Sequence, residues 1–197
     1  MNTKQMKKLI LSLSIILLPL SIFAQDTWVE DPAHSKLGFT VTHLGIADVP
    51  GHFGDYDVTI KASEEDFSDA EVELTVQTTS IETRVQKRNN HLRSADFFNV
   101  EKYPAMTFKS TDIKKVADGK YELTGNLSLH GATNEVTVTM VHRGTIANEM
   151  TDGNPKAGIQ ITGTIDRSEF DLGNGFPPPM ISNDVRIKAD GEFIQKN

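Results

Sequence analysis

The sequence predicts an all-β protein, built either as a barrel or as a two-sheet sandwich. About eight segments alternate apolar and polar residues with a period of two, which is typical of half-buried antiparallel strands. Turn-forming pairs, among them Pro50-Gly51 and Asp118-Gly119, separate these segments at regular intervals. Gly125, Gly163 and Gly191 lie inside strand patterns, where glycine often marks a bend in a barrel.

The predicted strands follow one another along the chain after residue 24. In the first, Leu37, Phe39 and Val41 share one face, while Lys36, Thr40 and Thr42 lie on the other. The apolar faces of the later strands are formed, in chain order, by Tyr56, Val58 and Ile60; Val72, Leu74 and Val76; Met106 and Phe108; Tyr121, Leu123, Leu127 and Leu129; Val136, Val138 and Met140; Ile159, Ile161 and Ile165; and Val185, Ile187 and Phe193. Strands with one apolar face indicate a sheet with one buried side.

One helical segment interrupts this order between residues 81 and 92. Its apolar residues Ile81, Val85 and Leu92 are four and seven positions apart, which is typical of one face of a helix. Residues 94–104 follow as an aromatic loop, and residues 177–179 are three prolines that predict a rigid extended loop before the last strand.

The first 24 residues have the three parts of a secretory signal peptide: a start with three lysines, an apolar run over Leu9–Leu20, and the small residue Ala24 at the cleavage position. The alternative, a membrane anchor, requires a longer apolar run. We therefore predict a cleaved signal peptide at residues 1–24 and one domain at residues 25–197, located in the periplasm or secreted.

Charge and cysteine content exclude several classes of function. The chain has 20 Lys and Arg against 27 Asp and Glu, a net charge of −7, and losing the three lysines of the signal peptide leaves 17 − 27 = −10. An acidic protein of this kind disfavours nucleic acid and anionic membranes as main partners. The absence of cysteine excludes disulfides, thiolate metal sites and a cysteine nucleophile.

The sequence has no G-x-S-x-G, H-E-x-x-H or P-loop pattern, and its six histidines have no spacing typical of a metal site. We therefore predict a protein that is not an enzyme, with no catalytic residues, no metal and no cofactor other than a bound lipid. The alternative is an enzyme acting on a lipid or another small molecule, whose polar groups would be His43, His91, Asp96 and Arg167.

The apolar strand faces allow two interpretations: they fill a solid core, or they line a cavity. Because the inward residues are Leu, Val, Ile, Met and Phe, a cavity would be apolar and would suit a long hydrocarbon chain. Each methylene group that leaves water contributes about 0.8 kcal/mol, so such a chain can bind with few polar contacts.

One basic cluster stands out in this acidic sequence, formed by Arg84, Lys87, Arg88, His91 and Arg93. One interpretation is a solvated helix face that nearby acidic residues balance. The other is a site for an anionic head group at the rim of a cavity, because an arginine can bind a phosphate through two parallel hydrogen bonds.

An ordered set of short motifs extends from Trp28 to Phe193. The most specific is Arg88-x-x-His91-Leu92-Arg93-Ser94-x-Asp96-Phe97-Phe98. The others are Trp28-x-x-Asp31-Pro32-x-His34-Ser35, Phe39-x-Val41-x-His43, Gly51-x-Phe53, Ser80-Ile81-x-Thr83, Tyr103-Pro104, Phe108-x-Ser110, Gly125-x-Leu127-x-x-His130-Gly131-x-Thr133 and Asp166-Arg167-x-x-Phe170. This set resembles the YceI-like family of polyisoprenoid-binding, lipocalin-like proteins. Asn89 and Asp171 depart from the family pattern, which commonly has aspartate and glycine at these two positions.

The resemblance implies an extended eight-stranded antiparallel lipocalin-like barrel with one short helix and an elongated apolar tunnel. It implies an exported protein that holds a long-chain isoprenoid, or a quinone or fatty-acyl chain, for sequestration or transport. It also implies a homodimer. As a further partner we expect a membrane protein that delivers or receives the lipid. The remaining alternative is a β-sandwich interaction module without a ligand.

The candidate ligand-binding residues combine the strand pattern with the resemblance. The expected apolar lining is Leu37, Phe39, Val41, Phe53, Val58, Leu74, Val76, Phe97, Phe98, Met106, Phe108, Leu127, Leu129, Val138, Met140 and Ile161. The expected head-group rim is His43, Arg88, His91, Arg93 and Arg167. The helix and residues 94–104 would form a gate at the entrance.

Overall fold

The structure, a computed structural model, describes residues 25–147, 151 and 153–196. The predicted signal peptide, residues 1–24, lies outside the described residues. The strands are β1 (Asp26–Glu30), β2 (Lys36–His43), β3 (Ala47–Phe53), β4 (Tyr56–Ala62), β5 (Glu71–Gln77), β6 (Ile81–Glu82), β7 (Ala105–Ala117), β8 (Lys120–Leu129), β9 (Ala132–Ile146), β10 (Lys156–Asp166) and β11 (Ile181–Lys196), and the helix α1 is Gln86–Arg93. Within the described residues, no helix has the length and apolar character needed to cross a membrane.

Eight strands form a closed antiparallel barrel in the order β1-β4-β5-β7-β8-β9-β10-β11. The ring closes at β1, which pairs with β4 on one side and with β11 on the other. A two-sheet sandwich would leave open sheet edges. The predicted eight-stranded barrel is therefore confirmed, and the sandwich interpretation is wrong.

The other three strands continue barrel strands beyond short interruptions. A 3-10 turn at Pro32–His34 separates β1 from β2, and both of these strands pair with β11. Gly54 and Asp55 separate β3 from β4, and a 3-10 turn at Thr78–Ser80 separates β5 from β6. Because β2 pairs with β3 and β3 with β6, the barrel wall extends on this side beyond its closed ring.

The barrel has two ends of different construction. At one end, termed the closed end, residues 63–70 connect β4 to β5 and cross the opening of the barrel. The buried cluster on this side includes Trp28, Phe67, Tyr121, Met140 and Phe193. At the other end, termed the mouth, lie the β2–β3 turn, α1, residues 94–104 and residues 171–180. The cluster on that side, termed the mouth cluster, includes Phe53, Val76, Ile81, Phe97, Phe98 and Phe170.

The helix differs from its prediction. Ile81 lies in β6, and Val85 is 46% exposed at the start of α1, so the two do not form a buried helix face with Leu92. The helix instead buries Asn89, whose side chain is 1% exposed and hydrogen-bonds to Thr83 and Glu82. In α1, the hydrogen bonds of the Asn89 side-chain amide thus take the place of most of the apolar contacts that the sequence predicted for this helix.

Two of the interior glycines make room for side chains inside the barrel. A Cβ atom on Gly125 would lie 2.5 Å from the ring of Phe108, and one on Gly163 would lie 2.7 Å from Cγ1 of Val138. Such distances are shorter than van der Waals contact, so any other residue at these positions would displace the neighbouring side chain.

Candidate functional site: an apolar cavity in the barrel

A cavity of about 560 Å³ extends through the barrel from the mouth toward the closed end. Its lining includes the exposed residues His43 and Met180 at the mouth and the buried residues Met140 and Phe193 at the closed end. The volume lies within the range of small-molecule binding sites. The cavity interpretation of the strand faces is therefore correct, and the barrel does not have a solid core.

The predicted apolar lining residues converge on this cavity with one exception. Those that line it are Leu37, Phe39, Val41, Phe53, Val58, Leu74, Phe97, Phe98, Met106, Phe108, Leu127, Leu129, Val138, Met140 and Ile161. Val76 does not line the cavity, and its side chain is completely buried within the mouth cluster. The period-two alternation therefore identifies the inner face of the barrel, but not which inner residues other side chains cover.

Several further residues line the cavity. Those in strands include Val49, Ile60, Val72, Leu123, Val136, Ile159, Ile165, Val185, Ile187 and Phe193. Most of these share the alternation used for the prediction, so the sequence contained the signal for them. Leu172, Phe176 and Met180 come from the segment before β11 and reach the cavity through tertiary packing, for which the sequence pattern has no signal.

Arg88 lies at the mouth, lines the cavity and keeps part of its guanidinium unbonded. Its Nε donates to the Thr83 hydroxyl at 2.8 Å, and its Nη2 donates to the Thr83 carbonyl at 2.6 Å. The same hydroxyl donates to Asn89 Oδ1 at 2.6 Å. Among the described residues no partner accepts from Nη1 of Arg88, so this group can bind an anion at the mouth.

Three aromatic rings at the mouth form what we term the lid: His91, Phe97 and Phe176, all of which line the cavity. Their ring centroids lie 5.1 Å (His91 to Phe97), 5.2 Å (His91 to Phe176) and 4.9 Å (Phe97 to Phe176) apart. Asp96 Oδ2 lies 2.9 Å from Nε2 of His91 and orients the imidazole ring. The predicted gate therefore contributes two of the lid rings, and the segment before β11 contributes the third.

Two other predicted rim residues, His43 and Arg93, differ in whether they line the cavity. His43 lines the cavity as an exposed residue at the end of β2. Arg93 does not line the cavity, because its guanidinium donates to the carbonyls of Thr79 at 2.7 Å and Ile81 at 2.8 Å. Arg93 thus joins the end of α1 to the chain around β6, which corrects its predicted place at the rim.

Arg167 requires a second correction. It borders the cavity but is only 3% exposed, and burial lowers the pKa of its guanidinium. All five of its N–H groups donate to backbone carbonyls, those of Leu172 (2.6 Å), Gly173 (2.8 Å), Phe176 (2.6 Å), Ile181 (3.1 Å) and Ser182 (2.9 Å). No donor is left for a phosphate. Arg167 therefore organises the segment before β11 instead of forming part of a head-group site.

The sequence analysis missed one acidic residue on the inner face. Glu30 follows Trp28 by two positions in β1, so the strand period places both side chains inward. Glu30 lines the cavity, and its Oε2 atom is buried without a hydrogen-bond partner. Burial first, and then the charge of Asp57, raise the pKa of Glu30 from 4.5 to about 7, although a hydrogen bond from the Val58 backbone acts in the opposite direction.

Tyr56 lines the same cavity, and the charge of Glu30 affects the pKa of its phenol. Burial, followed by the charge of Glu30, raises the pKa of the Tyr56 phenol from 10.0 to about 12. The phenol therefore stays protonated at neutral pH and is a hydrogen-bond donor in the cavity wall.

An ion-pair cluster lies at the interruption between β1 and β2. Oxygen and nitrogen atoms of Asp31, His34 and Glu192 come within 4.8 Å of one another, which is close enough to hold a metal ion. Nζ of Lys156, however, already lies 2.9 Å from Asp31 and 3.2 Å from Glu192. Hydrogen bonds from Lys156, and then from His34, lower the pKa of Asp31 to about 2. Because an ammonium group neutralises these acids, we assign no metal to this cluster.

Comparison with known proteins places this architecture in a family. A model of the YceI-like domain matches residues 28–193. The chain belongs to the YceI-like family. Among curated proteins, this YceI-like chain is 34% identical over 190 residues to a UPF0312 protein of Pectobacterium atrosepticum, covering 94% of this chain and 97% of that protein.

Solved structures share the barrel. A crystal structure of a Campylobacter jejuni YceI protein superposes with a TM-score of 0.71 at 30% sequence identity, covering 79% of this chain and 90% of that one. A polyisoprenoid-binding domain from Saccharophagus degradans gives a TM-score of 0.65 at 15% identity, covering 86% of this chain and 98% of that one. The second similarity, at such low identity, shows the shared fold alone.

Proposed function

We propose that this YceI-like protein holds a long-chain isoprenoid, or a quinone or fatty-acyl chain, in the barrel cavity and sequesters or transports it. The observation that carries the proposal is the continuous cavity of about 560 Å³ inside a closed barrel, lined almost throughout by aliphatic and aromatic side chains. Such a lining excludes polar metabolites, because their polar groups would lose hydrogen bonds to water without replacement.

The energetics favour a chain-like ligand. Ten methylene groups transferred from water into the cavity would contribute about 8 kcal/mol before the cost of association is subtracted. A domain of the same fold, from Saccharophagus degradans, is itself described as polyisoprenoid-binding, so the fold is compatible with this ligand class.

The cellular setting is part of the proposal. Export by the N-terminal segment would place the barrel in the periplasm or outside the cell. A long-chain lipid crosses such an aqueous space only when a protein keeps its apolar chain out of water. The mouth would then face a membrane protein that delivers or receives the lipid, and a second copy of the chain would complete a homodimer.

Family membership and the structural neighbours favour a binding protein over an enzyme. Two of the polar groups considered for an enzyme are also bound to other partners. All N–H groups of Arg167 donate to backbone carbonyls, and His91 pairs with Asp96 on the surface of the lid. No second function is therefore put forward.

The test is a pair of tryptophan substitutions at neighbouring positions of β9. Val136 lines the cavity and Glu135 is exposed on the outer face, so Val136→Trp fills the cavity while Glu135→Trp adds the same ring outside. We expect Val136→Trp to weaken uptake of a long-chain isoprenoid at least about tenfold, and Glu135→Trp to leave it unchanged. Equal uptake by both variants, with both folded by circular dichroism, would refute binding inside the barrel.

A further inference from the structure

A polar site interrupts the apolar lining in the inner part of the cavity. Oε2 of Glu30 and Oγ of Ser35 are buried, and neither has a hydrogen-bond partner in the described part of the chain. Both residues line the cavity. Because buried oxygen atoms nearly always have partners, two unpaired atoms on one cavity wall indicate that a bound molecule supplies the missing partner.

Strand β11 brings these two residues together. Glu30 pairs with Phe193 in the β1–β11 ladder, and Oγ of Ser35 lies 2.8 Å from the position that a Cβ atom on Gly191 would occupy. Gly191 and Phe193 are two residues apart on one strand, so they share a face, and both line the cavity. The missing side chain at Gly191 thus makes room for the Ser35 hydroxyl on the cavity wall.

The surroundings disfavour an anionic ligand group at this place. Asp57 acts on Glu30 as a second negative charge from the neighbouring strand β4. Of the cations on adjoining strands, Lys156 is held by two carboxylates, and Lys36 borders the cavity as an exposed residue. The protonated Tyr56 phenol in the same cavity adds a donor without adding charge.

We propose that Glu30 and Ser35 bind an uncharged oxygen group of the ligand, a hydroxyl or a carbonyl, at the end that enters the barrel first. This inference rests on the proposed function, since it needs a ligand in the cavity. A carboxylate accepts a hydrogen bond from a hydroxyl, a protonated carboxyl donates one to a carbonyl, and the serine hydroxyl does both. A phosphate at this position would lie beside Glu30 and Asp57 and would be repelled.

The experiment measures binding of three probes with similar C20 chains: geranylgeraniol, the saturated hydrocarbon phytane, and geranylgeranyl diphosphate. The proteins are the wild type, Glu30→Leu, Glu30→Gln and Ser35→Ala. Glu30→Leu removes both hydrogen-bonding oxygens, whereas Glu30→Gln keeps the shape and a hydrogen-bonding end. Phytane binding reports on the intact cavity, because the hydrocarbon has no group for Glu30 to contact.

We expect the wild type to bind the alcohol about tenfold more tightly than phytane, as one added hydrogen bond to a buried group allows. Glu30→Leu should reduce this preference to less than about twofold with phytane binding retained, Ser35→Ala should reduce it partly, and Glu30→Gln should keep most of it. A tenfold preference that survives in Glu30→Leu, or an affinity for the diphosphate that falls in Glu30→Leu as much as the affinity for the alcohol, would overturn the inference. Failure of the wild type to bind any of the three probes would overturn the proposed function itself.

Discussion

The two ends of the barrel are built on different principles. At the closed end, Phe67 fills the opening and packs against the rings of Trp28, at 5.0 Å, and His142, at 4.6 Å. The loop that carries Phe67 is fastened to neighbouring strands, because the Tyr121 hydroxyl donates to the carbonyl of Asp66, and Lys115 Nζ lies 2.8 Å from the Asp66 carboxylate. Side-chain packing and ion pairs together seal this end.

The mouth is covered by the lid, and hydrogen bonds between side chains and backbone hold its segments in place above the mouth cluster. Arg167 ties the segment before β11, and Asn89 ties the helix. Large apolar side chains are left in water here: Ile46 is 85% exposed, and Leu44 and Met180 are about half exposed. A buried ring seals the closed end, whereas the mouth leaves large apolar side chains exposed, so the mouth is the end at which a ligand can enter.

The largest expected effect tests the closed end. Phe67→Ala removes a ring that is 1% exposed, and we expect the free energy of unfolding to fall by about 3–5 kcal/mol. The matched variant at the mouth is Phe176→Ala, whose ring is half-buried and borders the cavity, with an expected loss of about 1 kcal/mol. Urea unfolding measures both variants. Equal losses would show that Phe176 is packed as firmly at the mouth as Phe67 is at the closed end.

The next effect tests how the mouth is held. Lysine has three donors where Arg167 uses five, so Arg167→Lys removes the side-chain donor from at least two of these five carbonyls, at an expected cost of about 2–4 kcal/mol in unfolding free energy. Arg186→Lys, at an exposed ion pair with Asp48, is the control and should change the free energy by less than about 1 kcal/mol. If Arg167→Lys were as mild as the control and weakened only diphosphate binding, Arg167 would belong to the head-group rim after all.

A smaller effect concerns Glu30, which lies between the two ends. Its folded pKa of about 7 is above the ordinary value of 4.5, so the folded state binds the proton more tightly. The resulting stabilisation is complete below pH 4.5 and is lost as the pH rises through about 7. Between about pH 4.5 and about pH 8, the wild type should lose about 2 kcal/mol more unfolding free energy than Glu30→Gln. Asp57 and Tyr56 also face this carboxyl from β4, and they are present in both proteins. Parallel stability curves for the two proteins would contradict a titration of Glu30 in this range.

The smallest effect returns to the mouth. Asn89 Nδ2 donates to Glu82 Oε2 at 2.8 Å, so Asn89→Asp replaces a hydrogen bond by two facing carboxylates. We expect the melting temperature to fall by about 2–4 °C at neutral pH. Glu82→Gln added to Asn89→Asp supplies a new donor and should restore most of this loss. A double variant as unstable as Asn89→Asp alone would show that the contact between these two side chains is not the cause.

The sequence predicted what depends on alternation along a strand. Leu37, Phe39 and Val41 face the cavity because side chains two residues apart point the same way. Arg167 was misjudged because its partners are carbonyls of a segment that only the folded chain brings around it. Glu30 lies two residues after Trp28 in β1, so both side chains point inward. A single acidic residue at the end of a strand, however, does not indicate whether the barrel interior is filled or open.

The most direct measurement is mass spectrometry of a solvent extract from the protein purified without detergent, with an unrelated protein and buffer as controls. Because the apolar cavity would hold its ligand through purification, we expect about one long-chain lipid per chain, at a mass that identifies its class. A protein that carries no lipid and takes up no added isoprenoid would contradict a lipid-binding barrel and would direct attention to the exposed mouth as a protein-binding surface.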